Sequence, residues 1–308
     1  MEKILIKNTP VPKRNHPAYV LITPVKDEEK LIGDTIVSVV SQSVRPMQWV
    51  IVDDGSTDQT AEIVRIAADR HSWIRLISLQ PRLNRSFAAV VHAAEAGING
   101  LTVNEYKYIG LLDADLRFAP DYFEKVLARF EASPKLGLGG GHVVDLGEAK
   151  NRLPRNRLDV PGAAQFFRRR CFEELGGLLA IPEGGWDALT CLRARMLGYE
   201  TRLLTDLVVE HLKPRNIHEG SLLHRQWQLG IRDYALGYLL LFEIVKCVNR
   251  IFDRPFFLGA VAWFAGYCSA ALEKRERSVP SDLMRYSHIE QRGRLKKALR
   301  ISKTCEPT

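Results

Sequence analysis

Residues 51–60 read IVDDGSTDQT. Two aliphatic residues run into a pair of adjacent aspartates, and a Gly-Ser-Thr-Asp turn follows. Asp, Gly and Ser are ordinary turn formers, which accounts for Gly55 and Ser56 but not for the doubled carboxylate. WVIV (49–52) reads as a strand, and from Thr57 a helical pattern runs to about His71. The stretch is therefore a strand-to-helix corner with two like charges at its mouth. Whether the corner recurs decides the fold.

It recurs three times. YVLIT (19–23) precedes helical spacing from Leu31 to Ser43, WIRLISL (73–79) precedes an Ala-rich helix from Phe87 to Gly97, and YIGLL (108–112) precedes a helix from Pro120 to about Ala132. This alternation predicts βαβ units and an α/β fold with a mainly parallel central sheet. The strands carry Val, Ile and Leu on both alternating positions, as helices on both faces require. Ligands of such sheets bind beyond the carboxyl ends of the strands. TPVKDEE (23–29), DDGSTD (53–58) and DADLR (113–117) all fall there. Asp113 and Asp115, one residue apart at a strand end, can share a hard divalent cation, and oxygen ligands favour Mg²⁺ or Mn²⁺.

The chain of 308 residues is 46% hydrophobic and 26% charged, which suits a globular protein with a real core. Its net charge is +8, and residues 273–308 hold ten Lys/Arg against five acids, supplying +5 of it. A basic tail suits an anionic partner such as a membrane surface or nucleic acid, or is simply a solvated helical face. Five cysteines without close pairs (171, 191, 247, 268, 305) predict neither a disulfide framework nor a zinc site, and fit a reducing cytosol. The N-terminus has no apolar run of signal-peptide length.

From about Gly220 the composition changes. YALGYLLLF (234–242) is followed by PFFLGAVAWFAGYCSAAL (255–272), which runs 18 residues without a charge. That length touches the threshold for a membrane span. Basic residues on both flanks (Arg254, Lys274, Arg275) favour instead a helix pair lying in the interface, followed by a basic amphipathic tail. The competing expectation is a helical subdomain packed on the sheet. The chain divides into a lead-in (1–18), an α/β domain (19–218) and a C-terminal helical, membrane-associated region (219–308).

The set ITPVKDE, VIVDDGSTDQT, LLDAD and GGWDALTCLRARMLGY resembles the family-2 glycosyltransferases of GT-A fold, over about residues 18 to 215. The resemblance implies an inverting enzyme that takes a sugar from a nucleotide-diphosphate donor. On it, Thr23, Pro24, Asp27 and Glu28 form the first nucleotide-contacting loop. Asp53 and Asp54 meet the base and ribose, which gives the doubled carboxylate a use. Asp113 and Asp115 become the metal-binding pair, with His211 of VVEHLKPR as a further metal or diphosphate ligand. Asp187 lies 11 residues before Gly198-Tyr199 and takes the place of the catalytic base. A single base suffices to deprotonate an attacking hydroxyl.

A helix-start aspartate after Gly184-Gly185 also reads as a plain cap. Two departures stand out: the base is preceded by Trp186 where the family often has an acid, and Leu189 replaces a second one. Trp186 then either stacks on a sugar or fills the core. Gly162 and Ala163 would floor the donor pocket, and Arg168 would serve phosphate or acceptor. Arg82 and Arg85 are further phosphate candidates. The implied partners are a UDP-sugar, as the commonest donor, and a glycan or lipid-linked acceptor in envelope polysaccharide synthesis. The implied place is the cytoplasmic face of the membrane, with no nucleic acid.

The rival readings are weaker. A nucleotidyltransferase or a dinucleotide-binding dehydrogenase would need a Gly-rich loop after the first strand, and TPVKDEE has no glycine. An inactive scaffold binding membrane or nucleic acid would have no reason to keep the carboxylates together.

Overall fold

The computed structural model describes residues 16–80, 87–147, 156–213 and 222–304. Arg82, Arg85 and most of the lead-in lie outside these. The predicted alternation is present: β1 (Tyr19–Val25), α1 (Ile32–Val40), β2 (Gln48–Asp53), α2 (Thr60–Arg70), β3 (Ile74–Ser78), α3 (Phe87–Asn99) and β4 (Tyr108–Leu112). The chain continues through β5 (Leu116–Phe118), α4 (Tyr122–Ala132), β6 (Leu136–Asp145), β7 (Ala164–Arg168), α5 (Arg169–Leu175), α6 (Trp186–Met196) and β8 (Glu200–His211).

Among the described residues the strands form one sheet in the order β3-β2-β1-β4-β7-β6-β8-β5. The first four are all parallel. β7 then enters antiparallel to both β4 and β6, β8 runs parallel to β6, and β5 closes the edge antiparallel to β8. The sheet is thus more mixed than the periodicity predicts. Helices α1, α2 and α4 bury one face with Ile32, Val64 and Phe123, and α3, α5 and α6 bury the other with Val91, Phe172 and Cys191.

β6 is buried along its whole length although its sequence, LGLGGGHVVD, is glycine-rich. Glycine ordinarily weakens a strand. Here a Cβ on Gly140 would lie 2.0 Å from the Ala164 carbonyl oxygen, and one on Gly141 2.6 Å from that of Leu207. The glycines are what allow β7 and β8 to close on this strand.

The C-terminal region holds α7 (Leu222–Ala235), α8 (Leu240–Val248), α9 (Leu258–Leu272) and α10 (Ser281–Thr304). α7 and α9 run side by side in the same direction, and α8 packs on α9. A Cβ on Gly230 would lie 1.9 Å from the Trp263 carbonyl oxygen, and one on Gly266 2.0 Å from that of Trp227. The Trp263 indole donates to the Asp233 carboxylate at 2.6 Å. No helix among the described residues is long and apolar enough to cross a membrane. The uncharged run 255–272 buries Ala260, Trp263, Tyr267 and Ala270 and packs one face on α7. α10 folds back on the sheet domain, where its Glu290 pairs with Arg195 of α6 at 2.7 Å. Gln291 accepts from the Leu239 amide at 2.8 Å. In the part described, the basic tail is a docked helix rather than a free one.

Candidate active site

The corner that opened the sequence reading sits where β1 and β2 end side by side. The two loops are laced together. Asp27, in the left-handed region at φ 53°, accepts from the Thr57 amide at 2.8 Å. The Asp27 amide donates to the Ser56 hydroxyl at 3.0 Å, and the Glu28 amide donates to that of Thr60 at 2.8 Å. Asp53 closes its own turn by accepting from the Ser56 amide at 3.0 Å. Asp53 and Asp54 are both buried. Turn chemistry therefore explains one aspartate of the pair, while the amide of the other, Asp54, donates to the Val25 carbonyl at 2.9 Å and ties the β2 loop to the end of β1.

Asp113, Asp115 and His211 each offer a ligand atom, all within 4.8 Å of one another. Three elements make this cluster. The Asp113 amide donates to the Ala163 carbonyl at 2.9 Å, tying the end of β4 to the start of β7. Leu116 pairs with His211 across β5 and β8, and the Leu212 amide donates to the Asp115 carbonyl at 2.8 Å. The buried Thr35 of α1 clamps the turn: its hydroxyl donates to the Ala114 carbonyl at 2.7 Å and accepts from the Leu116 amide at 2.8 Å. His211 Nε2 faces Asp115 at 3.5 Å, while Nδ1 faces Asp145 at 3.6 Å and the Lys213 carbonyl oxygen. A carbonyl partner makes Nδ1 the N–H donor and leaves the Nε2 lone pair towards the carboxylates. Two carboxylates and an imidazole nitrogen with open positions suit a divalent ion of the Mg²⁺ or Mn²⁺ kind.

Burial pushes the Asp115 carboxyl above its ordinary range, opposed by His211 and Lys213. Lys213 also reaches Glu28 at 2.7 Å, so a cation from the β8 end meets the β1 loop. Burial likewise pushes Glu28 up, and Lys213 holds it back.

Asp187 stands in the first turn of α6. The helix cap itself is Gly185, which has no side-chain capping bond, so the plain cap reading does not hold. One Asp187 oxygen accepts from the Gly162 amide at 3.1 Å and the other from the Ala188 amide at 2.9 Å. Ala163, next to Gly162, is the residue bonded by Asp113. Two hydrogen bonds and two residues of chain therefore join Asp187 to the Asp113 cluster. Gly162 also leaves room for Trp186: a Cβ there would lie 2.7 Å from the Trp186 ring. Trp186 is half-buried against the sheet's second core, which supports the core-filling reading of this residue.

Two sequence expectations are corrected. Thr23 lies inside β1, is fully buried, and its hydroxyl accepts from the Trp49 indole at 2.9 Å. Its side chain belongs to the core, whereas Pro24 is partly open. Arg168 pairs with Tyr108, at the amino end of β4, while the site lies at the carboxyl end. Its guanidinium donates to the carbonyls of Phe130 and Leu136 at 2.8 and 3.2 Å and stacks on Tyr108. Sequence reading missed Asp145, Thr35, Lys213 and Arg232. Arg232 of α7 packs its Cδ 3.4 Å from where a Gly185 Cβ would lie, beside the Asp187 turn. None of the four forms a local motif.

The sequence profile described as "Glycosyl transferase family 2" matches residues 20–183, more than half of the chain. A 4,4'-diaponeurosporenoate glycosyltransferase of Staphylococcus aureus is 28% identical over 125 residues, 40% of this chain and 31% of that protein. An O-antigen biosynthesis protein, RfbC, of Myxococcus xanthus is 32% identical over 124 residues, 40% of this chain and 9% of that one. The matched part is thus under a third of either relative. Among solved structures, the mannosyltransferase PcManGT of Pyrobaculum calidifontis, in complex with GDP-Man and Mn²⁺, superposes at TM-score 0.56 and 20% identity, covering 94% of this chain and 84% of that one. S. aureus TarS in complex with UDP-GlcNAc superposes at 0.54 and 14%, covering 86% and 82%. These likenesses show the GT-A fold.

Proposed function

This chain belongs to glycosyl transferase family 2, and on that premise we propose that it transfers a sugar, with inversion, from a nucleotide-diphosphate donor to a hydroxyl of a glycan or lipid-linked acceptor in envelope polysaccharide synthesis. The observation that carries the reading is the junction of two carboxylate sites at one sheet edge: Asp187 is bonded to Gly162, and Ala163 is bonded to Asp113. The nucleotide would lie along the laced β1 and β2 loops, against Pro24, Asp27, Glu28, Asp53 and Asp54, with UDP the favoured base.

Asp113, Asp115 and His211 would hold Mn²⁺ or Mg²⁺. When bound, the ion would offset the charge that develops on the departing diphosphate. Asp187 accepts the acceptor's hydroxyl proton as that oxygen attacks the anomeric carbon in line. The bond from that carbon to the phosphate oxygen breaks, and the configuration inverts. Two amide donors fix the Asp187 carboxylate for this task. The reading needs one base, unlike glycoside hydrolysis with its two opposed carboxyl groups. We place the reaction at the cytoplasmic face of a membrane, where a lipid-linked acceptor would be presented.

A panel of nucleotide sugars, incubated with membrane extract and Mn²⁺, tests this through release of nucleoside diphosphate and the anomeric configuration of the product. One donor should be consumed with inversion by wild type and not by Asp187→Asn. A retained configuration, or equal turnover by the variant, would contradict it.

A further inference from the structure

The strongest feature outside the site is one end of the C-terminal helices, exposed among the described residues. Here α7 begins, α8 ends and α9 begins. Gly259 at the start of α9 approaches Gln226 of α7 at 3.7 Å from its Cβ position, and the Phe257 amide donates to the Ile251 carbonyl at 2.8 Å. The turn between α8 and α9 carries Phe252, 86% exposed, and Phe256 and Phe257, each 59% exposed. Phe257 sits at φ 55°, a conformation non-glycine residues adopt rarely. Leu222, Val248 and Leu258 are exposed around them. Along α8 the exposed stripe continues through Ile244 and Leu241, while Glu243 and Cys247 face inwards. A monomeric soluble protein rarely leaves so many large apolar side chains together in water.

We propose that this end is a docking surface for an anionic lipid bilayer, with the three phenylalanines entering the acyl boundary and α8 lying along it. Charge complementarity selects the occupant. Arg254 lies over the Phe256 ring at 5.9 Å, and Arg250 lies over the Trp263 ring at 4.9 Å. Cations around an apolar tip meet anionic headgroups while the rings enter the apolar layer. A second copy would bring the same two arginines against their own counterparts across a two-fold axis. The one acid of the turn, Asp253, already pairs with Arg250 at 3.6 Å.

The placement suits the site. α7 runs from this end to Arg232 and Leu236, which pack on Gly185 beside Asp187. The ten residues between Leu222 and Arg232 rise roughly 15 Å. A base within about 15 Å of a docked end is near enough to meet the headgroup end of a lipid-linked acceptor. This last step rests on the function proposed above; the docking does not. It also moves the membrane contact from the 255–272 run as a whole to the α8 stripe and the 252–258 turn.

The test is co-sedimentation of the full chain with vesicles of phosphatidylcholine alone or mixed with phosphatidylglycerol, at low and high salt. Wild type should bind the mixed vesicles, less so in high salt. Phe252→Ser/Phe256→Ser/Phe257→Ser should bind about tenfold more weakly or worse, and Arg250→Gln/Arg254→Gln should lose the preference for the anionic lipid. The three phenylalanines are exposed, so thermal unfolding of the triple variant should be unchanged. Binding unaffected by the phenylalanine changes would overturn the proposal, since attraction would then lie in charge elsewhere, such as α10. No binding to any vesicle would overturn it too. So would a dimer in light scattering that the triple variant abolishes without vesicle binding. Loss of transfer activity with vesicle binding intact would count against the enzymatic reading alone.

Discussion

The carboxyl edge of the sheet and the C-terminal helices hold themselves together in opposite ways. At the sheet edge, polar groups position one another. Thr57 is held by Asp27, the Asp113-Ala114-Asp115 turn by Thr35, and Asp187 by Gly162. Between α7 and α9, placement comes from backbone contact through Gly230 and Gly266, and the few polar groups inside are ionic: Asp233, Glu243 and Lys246. The first kind of order leaves lone pairs and open positions for a ligand. The second fills its interior with backbone contact and turns the leftover apolar surface outwards. Chemistry and anchoring are thereby separated, and substitutions in the two regions should move different observables.

The largest effect belongs to Asp187→Asn. Turnover should fall by roughly 10²–10⁴-fold, the usual worth of a positioned base. Nucleotide binding and the unfolding midpoint should stay close to wild type, as calorimetry and thermal melts would show. A loss of stability instead of turnover would make Asp187 another structural member of the edge.

Asp145 sharpens the same side of the comparison. It faces His211 from the neighbouring strand, so Asp145→Asn should weaken Mn²⁺ binding about 10–100-fold, read by the free-ion signal in electron paramagnetic resonance. Unchanged affinity would mean that the Lys213 carbonyl alone orients the imidazole.

On the helical side, Gly230→Ala or Gly266→Ala forces a Cβ into a facing backbone. Each should cost ~1–3 kcal/mol, seen in thermal unfolding, and nucleotide affinity should be little changed. Equal loss in both observables would show that the two regions are coupled.

The smallest effect concerns pH. Burial pushes the Glu243 carboxyl up to about 7, with Lys246 opposing. Between its unfolded value and about 7 the folded chain binds the extra proton, so stability falls as pH rises through this window. The unfolding midpoint should decline from pH 5 to about 8, and Glu243→Gln should flatten that part of the profile. A profile the substitution does not alter would assign the decline to other groups.

Much of the sheet domain was legible because its signals are local. β1 to β4 are short aliphatic runs between helical patterns, and the aspartates at their ends stand out by sequence alone. β6 was not legible, because a glycine-rich run carries no strand signal until the backbones of β7 and β8 are seen against it. Thr23 was misread since a motif match does not say which side chains face the core. Arg168 was placed in the pocket although an antiparallel strand carries it to the far end of the sheet. Thr35 and Asp145 carry no motif; each matters only through residues distant in sequence. An uncharged run such as 255–272 has one composition whether it faces lipid or another helix, and only the glycines opposite Trp227 and Trp263 decide.

The central claim is that the carboxyl edge binds a nucleotide diphosphate through a divalent ion. The most direct measurement is calorimetric titration of a panel of nucleotide diphosphates into wild type and Asp115→Asn, with Mn²⁺ and with EDTA. The account predicts that one nucleotide binds wild type in Mn²⁺, and that EDTA or Asp115→Asn each abolish the heat. Binding that survives both, or a folded wild type that binds none of them, would contradict it.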